Sequence, residues 1–253
     1  MPRFFVLNHD IEDDIVTLRG DDAHHIAFAL RMAAGEHITV VCDGVSFDCE
    51  LVAFSPDKSQ PWVRARICEA HPADSEPPYR AVLYQALPKG DKLDTIIQKA
   101  VECGVSAVVP FESSRCIVRV KPEAEERKTE RRRRIAEEAA KQCGRGMVPE
   151  VSPTLSFHEM LQNVAKADLV LFCYEAEGTL PLRQLLTRKM PEVSPQTPPT
   201  VAVIVGSEGG FSPEEAKIAA DSGFCMVGLG KRILRCETAP AFVLACLSYQ
   251  YEL

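Results

Sequence analysis

Two glycine-containing loops near the C-terminus carry the residue types that could form a small-molecule site. Gly206–Phe211 follows the apolar run Thr200–Val205 and precedes Ser212 and Pro213, a pair typical of a helix start. Gly228–Ala239 follows another short apolar run and leads into an apolar helix pattern. Loops that leave neighbouring strands at the carboxyl edge of a sheet can share one ligand pocket. We therefore expect the chemistry of this chain between these two loops.

The glycine spacing of the first loop disfavours two common nucleotide sites. Gly206, Gly209 and Gly210 do not match Gly-x-Gly-x-x-Gly, and no Gly-Lys-Ser or Gly-Lys-Thr follows them. A dinucleotide fold and a phosphate-binding P-loop are thus disfavoured. Glycine allows the backbone to approach a ligand closely. It is also common in plain strand–turn–helix connections, so the spacing alone leaves both interpretations open.

Charged residues in the second loop are the candidates for catalysis. Arg235 and Glu237 flank the start of the last apolar helix, beside the apolar Ile233 and Leu234. An arginine at a strand exit can bind an anion or a carbonyl oxygen, whereas a carboxylate can accept a proton or orient another group. The alternative is structural, because Glu237 or Thr238 could instead stabilise the helix N-terminus.

A basic segment lies within an acidic chain. The formal net charge is -7, and residues 1–72 carry six Lys and Arg against twelve Asp and Glu. Residues 115–146 carry eleven Lys and Arg against six Asp and Glu, which is compatible with a polyanionic partner. The side chains of Arg131–Arg134 would point around most of a helix circumference, so they cannot all face one partner. They could form a nucleic-acid surface in part, or they could pair with nearby glutamates at helical spacing. Lys89 and Lys92 precede a helix pattern, where they could meet a phosphate or belong to a simple turn.

The sequence contains no pattern for a metal centre or a membrane span. Its ten cysteines include no Cys-x-x-Cys pair and its histidines have no ligand spacing, so we expect no metal. No apolar run is long enough to cross a bilayer, and the N-terminus does not match a secretory signal. We therefore expect a cytoplasmic protein without a membrane partner.

A polar, proline-rich segment, His71–Pro78, divides the chain into two expected domains. Residues 1–72 combine short alternating runs with one helix pattern, Asp21–Met32, which predicts a small β-barrel. In residues 73–253 strands alternate with helices, which predicts an α/β domain with a mostly parallel sheet. The predicted strands are Ile15–Leu18, His37–Cys42, Val45–Phe54, Trp62–Cys68, Ala81–Leu87, Val105–Phe111, Leu169–Tyr174, Val201–Val205 and Met226–Leu229. The predicted helices of the second domain are Lys92–Cys103, Glu130–Cys143, Phe157–Lys166, Pro213–Ser222 and Thr238–Tyr251.

The two C-terminal loops, together with blocks elsewhere in the chain, resemble the RsmE family. The further blocks are Pro2–Phe5, His24–Ile26, Leu30–Met32, Gln85–Lys92, Ile97–Val105, Ser114–Cys116, Glu138–Arg145 and Val148–Pro149. They cover nearly the whole chain in order. Members of this family are bacterial methyltransferases that modify the imide nitrogen (N3) of one uridine in 16S ribosomal RNA of the small subunit. The family usually has proline where Ser207 stands and threonine where Cys236 stands.

The resemblance implies a fold and a cofactor. It implies a SPOUT-type parallel sheet with a C-terminal trefoil knot, preceded by a small PUA-like β-barrel domain that helps to hold RNA. It also implies a homodimer and S-adenosylmethionine as cofactor, bound by the loops Phe172–Gly178, Gly206–Phe211 and Leu229–Glu237. The implied cofactor contacts are Cys173, Tyr174, Glu175, Val205, Gly206, Glu208, Gly209, Gly210, Leu229, Gly230, Ile233, Leu234 and Arg235.

Roles in the implied reaction follow from the positions of these residues in the loops. Arg235 is expected to stabilise charge on the uracil oxygens, with Glu237 or Glu208 as proton acceptor or orienting group. Contacts with RNA are expected from Arg3, Arg31, Lys89, Lys92, Arg115 and Arg145. Two alternatives remain: an enzyme of the same fold that methylates another RNA atom, such as the ribose 2'-hydroxyl, and a non-catalytic RNA-binding protein.

Overall fold

The computed structural model describes residues 1–57, 59–176, 178–194 and 197–253. The chain forms two compact units. The first contains Met1–Glu76 together with Ala140–Val148, and the second contains Pro77–Ala139 together with Pro149–Leu253. The segment 140–148 therefore belongs to the first unit although it follows the first part of the second unit in sequence. Within the described residues, no helix is both long and apolar enough to cross a membrane.

The first unit is built on a six-stranded sheet in the order β1-β4-β5-β6-β3-β2. Alternate residues of its strands, such as Val16 and Leu18 or Ile38 and Val40, are buried in one apolar core. The β4–β5 turn contains Asp43 and Gly44 at positive φ, as a tight hairpin turn requires. The strands are β1 (Arg3–Phe5), β2 (Ile11–Glu12), β3 (Ile15–Arg19), β4 (His37–Cys42), β5 (Val45–Phe54) and β6 (Trp62–Pro72).

The helix of the first unit is shorter than the sequence predicts. Instead of one helix over Asp21–Met32, α1 (Gly20–His24) is followed by a π-helical turn, His25–Ala29. Arg31 then adopts a positive φ of 56°, which a helix cannot continue through. Strand β1, which pairs in parallel with β4, was not predicted because its three residues are too few to show an alternation.

The second unit is built on an eight-stranded parallel sheet in the order β10-β8-β7-β13-β11-β14-β12, with β9 also paired to β8. Its strands are β7 (Arg80–Ala86), β8 (Val105–Glu112), β9 (Glu150–Val151), β10 (Leu155–Ser156), β11 (Leu169–Cys173), β12 (Leu180–Pro181), β13 (Thr200–Val205) and β14 (Cys225–Gly228). Its helices are α2 (Lys92–Glu102), α4 (Phe157–Val164), α5 (Leu182–Lys189), α6 (Pro213–Asp221) and α7 (Thr238–Tyr251), together with α3 (Pro122–Cys143) as far as Ala139. The α/β class with a parallel sheet is thereby confirmed.

Strand β13 lies at the centre of this sheet. Val201–Val205 is buried throughout, because a parallel strand covered on both faces has no solvent side. Its neighbours are β7 and β11, and β11 in turn pairs with β14. The loops that follow β11, β13 and β14 therefore leave the sheet at the same carboxyl edge. This arrangement positions the candidate site.

Helices α3 and α5 differ from the sequence prediction. Helix α3 begins at Pro122, eight residues before the predicted start at Glu130. Its first turn has no periodic apolar residues that would predict a helix, but acidic residues such as Glu123 and Glu125 stabilise a helix N-terminus. Helix α5 was missed, although Leu182, Leu185 and Leu186 are spaced as one buried helix face and are buried in the structure.

Candidate functional site

Three loops at the carboxyl edge of the second sheet enclose a cleft of about 750 Å³. They follow β11, β13 and β14. The lining includes every residue that the resemblance implied as a cofactor contact: Cys173, Tyr174, Glu175, Val205, Gly206, Glu208, Gly209, Gly210, Leu229, Gly230, Ile233, Leu234 and Arg235. Glu237, the other catalytic candidate, also lines it. Of the predicted loop Phe172–Gly178, Glu177 lies outside the described residues.

The cleft is also lined by residues that were not expected as individual cofactor contacts. Ala176, Ser207, Phe211, Arg232 and Cys236 belong to the three loops that the resemblance implied. The residues outside those loops are Thr179, Val227, Gly228 and Ala239, together with Lys92 and Arg115, which were expected to contact RNA. Val227, Gly228 and Ala239 have no polar side chain, so their sequence gives no sign of a site.

The loop after β13, Gly206–Phe211, requires glycine because its backbone packs closely against its surroundings. A Cβ atom at Gly206 would lie 3.0 Å from Gly210 Cα and 3.2 Å from Phe211 Cε2. At Gly209 it would lie 3.1 Å from Arg115 Cβ. Gly210 has a φ of 65°, in the left-handed region that favours glycine. We call Gly206–Phe211 the glycine loop.

Phe211 anchors the glycine loop in the core of the second unit. Its side chain is 2% exposed, and its ring centroid lies 4.3 Å from that of Phe172 and 6.3 Å from that of Phe111. The next residues, Ser212 and Pro213, begin α6 as the sequence predicted, with Ser212 as the N-cap. The loop is thus fixed at its end by aromatic packing and by a capped helix.

Phe211→Ala is expected to lower the free energy of unfolding by about 3–5 kcal/mol, because it removes a buried aromatic side chain and leaves a cavity. Phe211→Leu keeps most of the volume and should cost less than about 2 kcal/mol. Urea denaturation followed by far-UV circular dichroism measures both. A loss below about 1 kcal/mol for the alanine variant would show that Phe211 is not an anchor.

Glu208 connects the glycine loop to the start of α2. Its carboxylate accepts a hydrogen bond from Lys92 Nζ at 2.8 Å and from the backbone N–H of Lys89 at 3.1 Å. Desolvation would raise the pKa of Glu208, but these hydrogen bonds outweigh it, and the pKa lies below its ordinary value. The same hydrogen bond raises the pKa of Lys92. Glu208 is therefore an ionised carboxylate that is already engaged.

Glu237 lies near the same Lys92 side chain as Glu208. It accepts a hydrogen bond from the Cys236 thiol at 3.1 Å, and Lys92 Nζ lies 3.7 Å away. The thiol contact, with smaller contributions from Lys92 and Arg235, lowers the pKa of Glu237. Burial and the neighbouring carboxylates raise the pKa of Cys236 to about 12, so this thiol stays protonated.

Arg235 is an exposed cation of the cleft, as are Arg232 and Arg115. Its side chain is open to solvent and lines the cleft, and no acidic side chain among the described residues lies within ion-pair distance of it. Its backbone carbonyl accepts hydrogen bonds from the N–H groups of Thr238 and Ala239, which fix the start of α7. The guanidinium is therefore available to a ligand while its backbone is held in place.

The basic residues expected to contact RNA occupy different environments. In the second unit, Lys92 and Arg115 line the cleft, and Lys89 adjoins Glu208. In the first unit Arg31 is exposed, whereas Arg145 is 3% exposed and its guanidinium binds the carboxylate of Glu76. Arg3, also in the first unit, donates to the backbone oxygen of Arg145. An arginine buried in this way does not present its charge to a phosphate.

Arginines of α3 are used largely within the second unit. Arg131 forms an ion pair with Asp94, and the buried Arg132 lies 3.7 Å from Glu125 and donates to Thr154. Arg133 donates to the backbone oxygen of Val151. Of these partners, Glu125 is a glutamate of the same helix, whereas Asp94, Thr154 and Val151 lie outside α3. Within the described part of the chain, no group of three or more His, Cys, Asp or Glu residues could hold a metal ion.

Comparison with known proteins identifies the family. The sequence model described as RNA methyltransferase domain matches residues 75–248. Ribosomal RNA small subunit methyltransferase E of Bacillus subtilis is 34% identical over 100% of this chain and 98% of that protein. The Synechocystis protein of the same name is 31% identical over 99% of this chain and 78% of that protein.

Solved structures agree with the sequence comparison. The crystal structure of ribosomal RNA small subunit methyltransferase E from Neisseria gonorrhoeae, bound to S-adenosylmethionine, is similar with a TM-score of 0.83 and 29% identity over 99% of this chain and 98% of that one. A Legionella pneumophila protein in complex with the same cofactor has a TM-score of 0.83 and 30% identity, over 98% and 96% of the two chains. The chain therefore belongs to the ribosomal RNA small subunit methyltransferase E family, as the motifs of its glycine loop and its Arg235 loop predicted.

Proposed function

We propose that the protein transfers a methyl group from S-adenosylmethionine to N3 of one uridine in 16S ribosomal RNA of the small subunit. The observation that carries the proposal is the cleft of about 750 Å³ that the glycine loop and the loop of Arg235 line together. The names of the relatives support the substrate class, and the two neighbours solved with S-adenosylmethionine support the cofactor.

The residues of the cleft fit this cofactor. Its volume lies in the range of small-molecule sites. Gly206 and Gly209 both line the cleft, and a Cβ atom at either position would crowd Gly210 and Phe211 or Arg115, so glycine keeps the loop in this conformation. We infer that the glycine loop, Cys173–Glu175 and Leu229–Leu234 hold the cofactor. When bound, S-adenosylmethionine supplies an electrophilic methyl group for in-line displacement by the uracil nitrogen.

Arg235 is proposed to stabilise the negative charge that the uracil oxygens gain as the imide nitrogen reacts. An exposed guanidinium without an acidic partner among the described residues is free to serve this purpose. Glu208 and Glu237 are better suited to orient than to accept the proton, because a lowered pKa makes a carboxylate a weak base. Glu208 would keep Lys92 and the Lys89 backbone in place beside the cleft.

The pH dependence of turnover follows from these pKa shifts. Both carboxylates have pKa values below the ordinary 4.5, so neither changes protonation near neutrality. The uracil imide loses its proton as pH rises, and turnover at saturating cofactor should increase steadily between about pH 6 and about pH 8. Glu208→Gln and Glu237→Gln should keep the slope. If the turnover of the wild type instead reaches a plateau as pH rises, and one of the variants lacks that plateau, the carboxylate replaced in that variant is the base.

The RNA is proposed to approach the cleft along Lys89, Lys92 and Arg115, which lie in or beside it. Arg31, which is exposed, and Arg3 are retained as proposed contacts of the first unit. We leave Arg145 out because its charge is buried against Glu76. Phosphate contacts of this kind should weaken with salt.

We further infer that the first unit is a PUA-like β-barrel, that the C-terminal chain threads into a trefoil knot, and that the protein acts as a homodimer in the cytoplasm. Similarity to the methyltransferase structures over nearly the whole chain supports the fold. Large exposed apolar side chains support the dimer: Ile233 is 79% exposed, and Phe242 and Tyr249 of α7 are 37% and 75% exposed.

Incubation with labelled S-adenosylmethionine and undermethylated small ribosomal subunits, followed by mapping of the label, tests the proposed function. We expect label at N3 of one uridine in 16S RNA. Label on a ribose 2'-oxygen would instead support an enzyme of the same fold with a different target atom. If no label is transferred and calorimetry detects no cofactor binding, a non-catalytic RNA-binding protein is the better interpretation.

A further inference from the structure

Glu215 is a buried carboxylate that joins two loops of the second unit. It is 6% exposed and is the third residue of α6. Its Oε2 accepts the backbone N–H of Ser212 at 2.9 Å, and its own N–H donates to Ser212 Oγ at 3.2 Å, which completes a capping box. Its Oε1 accepts the backbone N–H of Ser114 at 2.7 Å, and Ser114 lies in the loop after β8.

The bond to Ser114 is not needed to cap the helix. Helix α4 begins with the same capping box, made by Ser156 and Glu159, in which Glu159 Oε2 accepts the backbone N–H of Ser156 at 2.7 Å. Glu159 is exposed, as such caps usually are. Glu215 instead loses the hydration of its charge, a cost that is offset only where charged hydrogen bonds satisfy both oxygens. Its burial and its second bond therefore indicate a further role.

The loop that Glu215 binds carries Arg115 into the cleft. Ser113–Cys116 forms a tight turn, in which the Cys116 N–H donates to the Ser113 carbonyl at 3.1 Å. Arg115 Nη1 donates to the carbonyl oxygen of Gly209 at 3.0 Å, and a Cβ atom at Gly209 would lie 3.1 Å from Arg115 Cβ. The turn is thus attached to the β13–α6 segment twice, by Glu215 at Ser114 and by the glycine loop at Arg115.

We propose that Glu215 is a positioning residue, which holds the Ser113–Cys116 turn so that the Arg115 guanidinium stays against the glycine loop, at the place where RNA meets the cofactor. The proposal rests on the proposed function, because it takes Arg115 as an RNA contact. Without Glu215, the Ser114 N–H loses its acceptor and Arg115 keeps only its own bond to Gly209. A displacement of about 1 Å in a positioned group can lower the rate substantially.

Glu215→Gln tests the proposal, with Glu159→Gln as a matched control. Both changes remove a carboxylate charge from a helix N-terminus, so both should lower the melting temperature. Glutamine keeps one oxygen, which is enough for the single N–H donor at Glu159 but not for the two donors at Glu215. Only Glu215→Gln should increase backbone hydrogen exchange in residues 113–116, by about tenfold or more. It should also raise KM for RNA about tenfold while KM for the cofactor stays within about twofold.

A double-mutant cycle with Arg115→Ala separates positioning from general destabilisation. If Glu215 acts through Arg115, adding Glu215→Gln to Arg115→Ala should raise KM for RNA by less than about twofold. An undiminished effect in that background, or exchange in residues 113–116 equal to that of the Glu159→Gln control, would overturn the proposal.

Ser114→Pro breaks the same contact from the other side, should Glu215→Gln not fold. Proline has no N–H to donate, and it suits this second position of the turn. The Ser114→Pro variant should show the same rise in KM for RNA as Glu215→Gln, although its α6 capping box is intact. An unchanged KM for RNA would contradict the proposal. The exchange measurement needs neither RNA nor cofactor. If the wild-type protein methylates no ribosomal RNA, the proposed function is wrong, but the hydrogen-exchange result for residues 113–116 is unaffected.

Discussion

Arg235→Ala is expected to lower turnover by about 100- to 1000-fold, the range seen when one charge-stabilising donor is removed from an active site. The dissociation constant for S-adenosylmethionine should change by less than about threefold, because the guanidinium is proposed to act on the uracil oxygens. Single-turnover methylation of small subunits gives the first quantity and calorimetry gives the second. The large effect is expected because Arg235 lines the cleft and has no acidic side chain within ion-pair distance among the described residues.

Lys231→Ala is the matched control for this substitution. Lys231 is an exposed cation of the same loop, but it does not line the cleft. It should retain turnover within about threefold, since an exposed charge outside the site contributes little. Equal losses in the two variants would indicate a general charge effect, and unchanged turnover in Arg235→Ala would remove this residue from the mechanism.

Gly209→Val is expected to abolish measurable cofactor binding. A Cβ at this position already lies 3.1 Å from Arg115 Cβ and 3.4 Å from the Arg115 carbonyl oxygen, and valine adds two methyl groups there. The loop should move to relieve this crowding, and returning it to the cofactor-binding conformation would cost about 1–3 kcal/mol, which corresponds to roughly 5- to 150-fold in affinity. Displacement of the loop removes backbone contacts in addition. Calorimetry with S-adenosylmethionine measures the loss.

Gly209→Ala is a milder substitution for comparison. It adds only the Cβ atom near Arg115 and should weaken cofactor binding by less than about tenfold. Melting temperatures of both variants show whether the fold is retained. If Gly209→Val is folded and binds the cofactor as the wild type does, the glycine loop is not the cofactor site.

Much of the fold could be predicted from sequence because local patterns were consistent with it. The buried run Val201–Val205, the Ser212–Pro213 helix start and the apolar pattern of α7 each specify their own element, and each is confirmed. The short strands β9, β10 and β12 contain two residues each, too few for any periodicity. Helix α5 does have a signal in the helical spacing of Leu182, Leu185 and Leu186, but it contains only eight residues.

The loops that form the site could be predicted from sequence, but the contacts between their side chains could not. That the loops after β11, β13 and β14 meet follows from parallel topology, and the resemblance supplied their residues. The bond between Lys92 and Glu208 joins residues 116 positions apart, and that between Ser114 and Glu215 joins residues 101 positions apart. No local pattern encodes such pairs. Likewise, nothing in the sequence around Arg145 shows that Glu76 neutralises it in a buried position.

A crystal structure of the protein with S-adenosylmethionine would show whether the two loops form the cofactor site. We expect the cofactor between the glycine loop and Leu229–Glu237, with its methyl group facing the opening where Arg235 lies. A cofactor bound at another surface, or crystals at saturating cofactor in which this cleft stays empty, would contradict it.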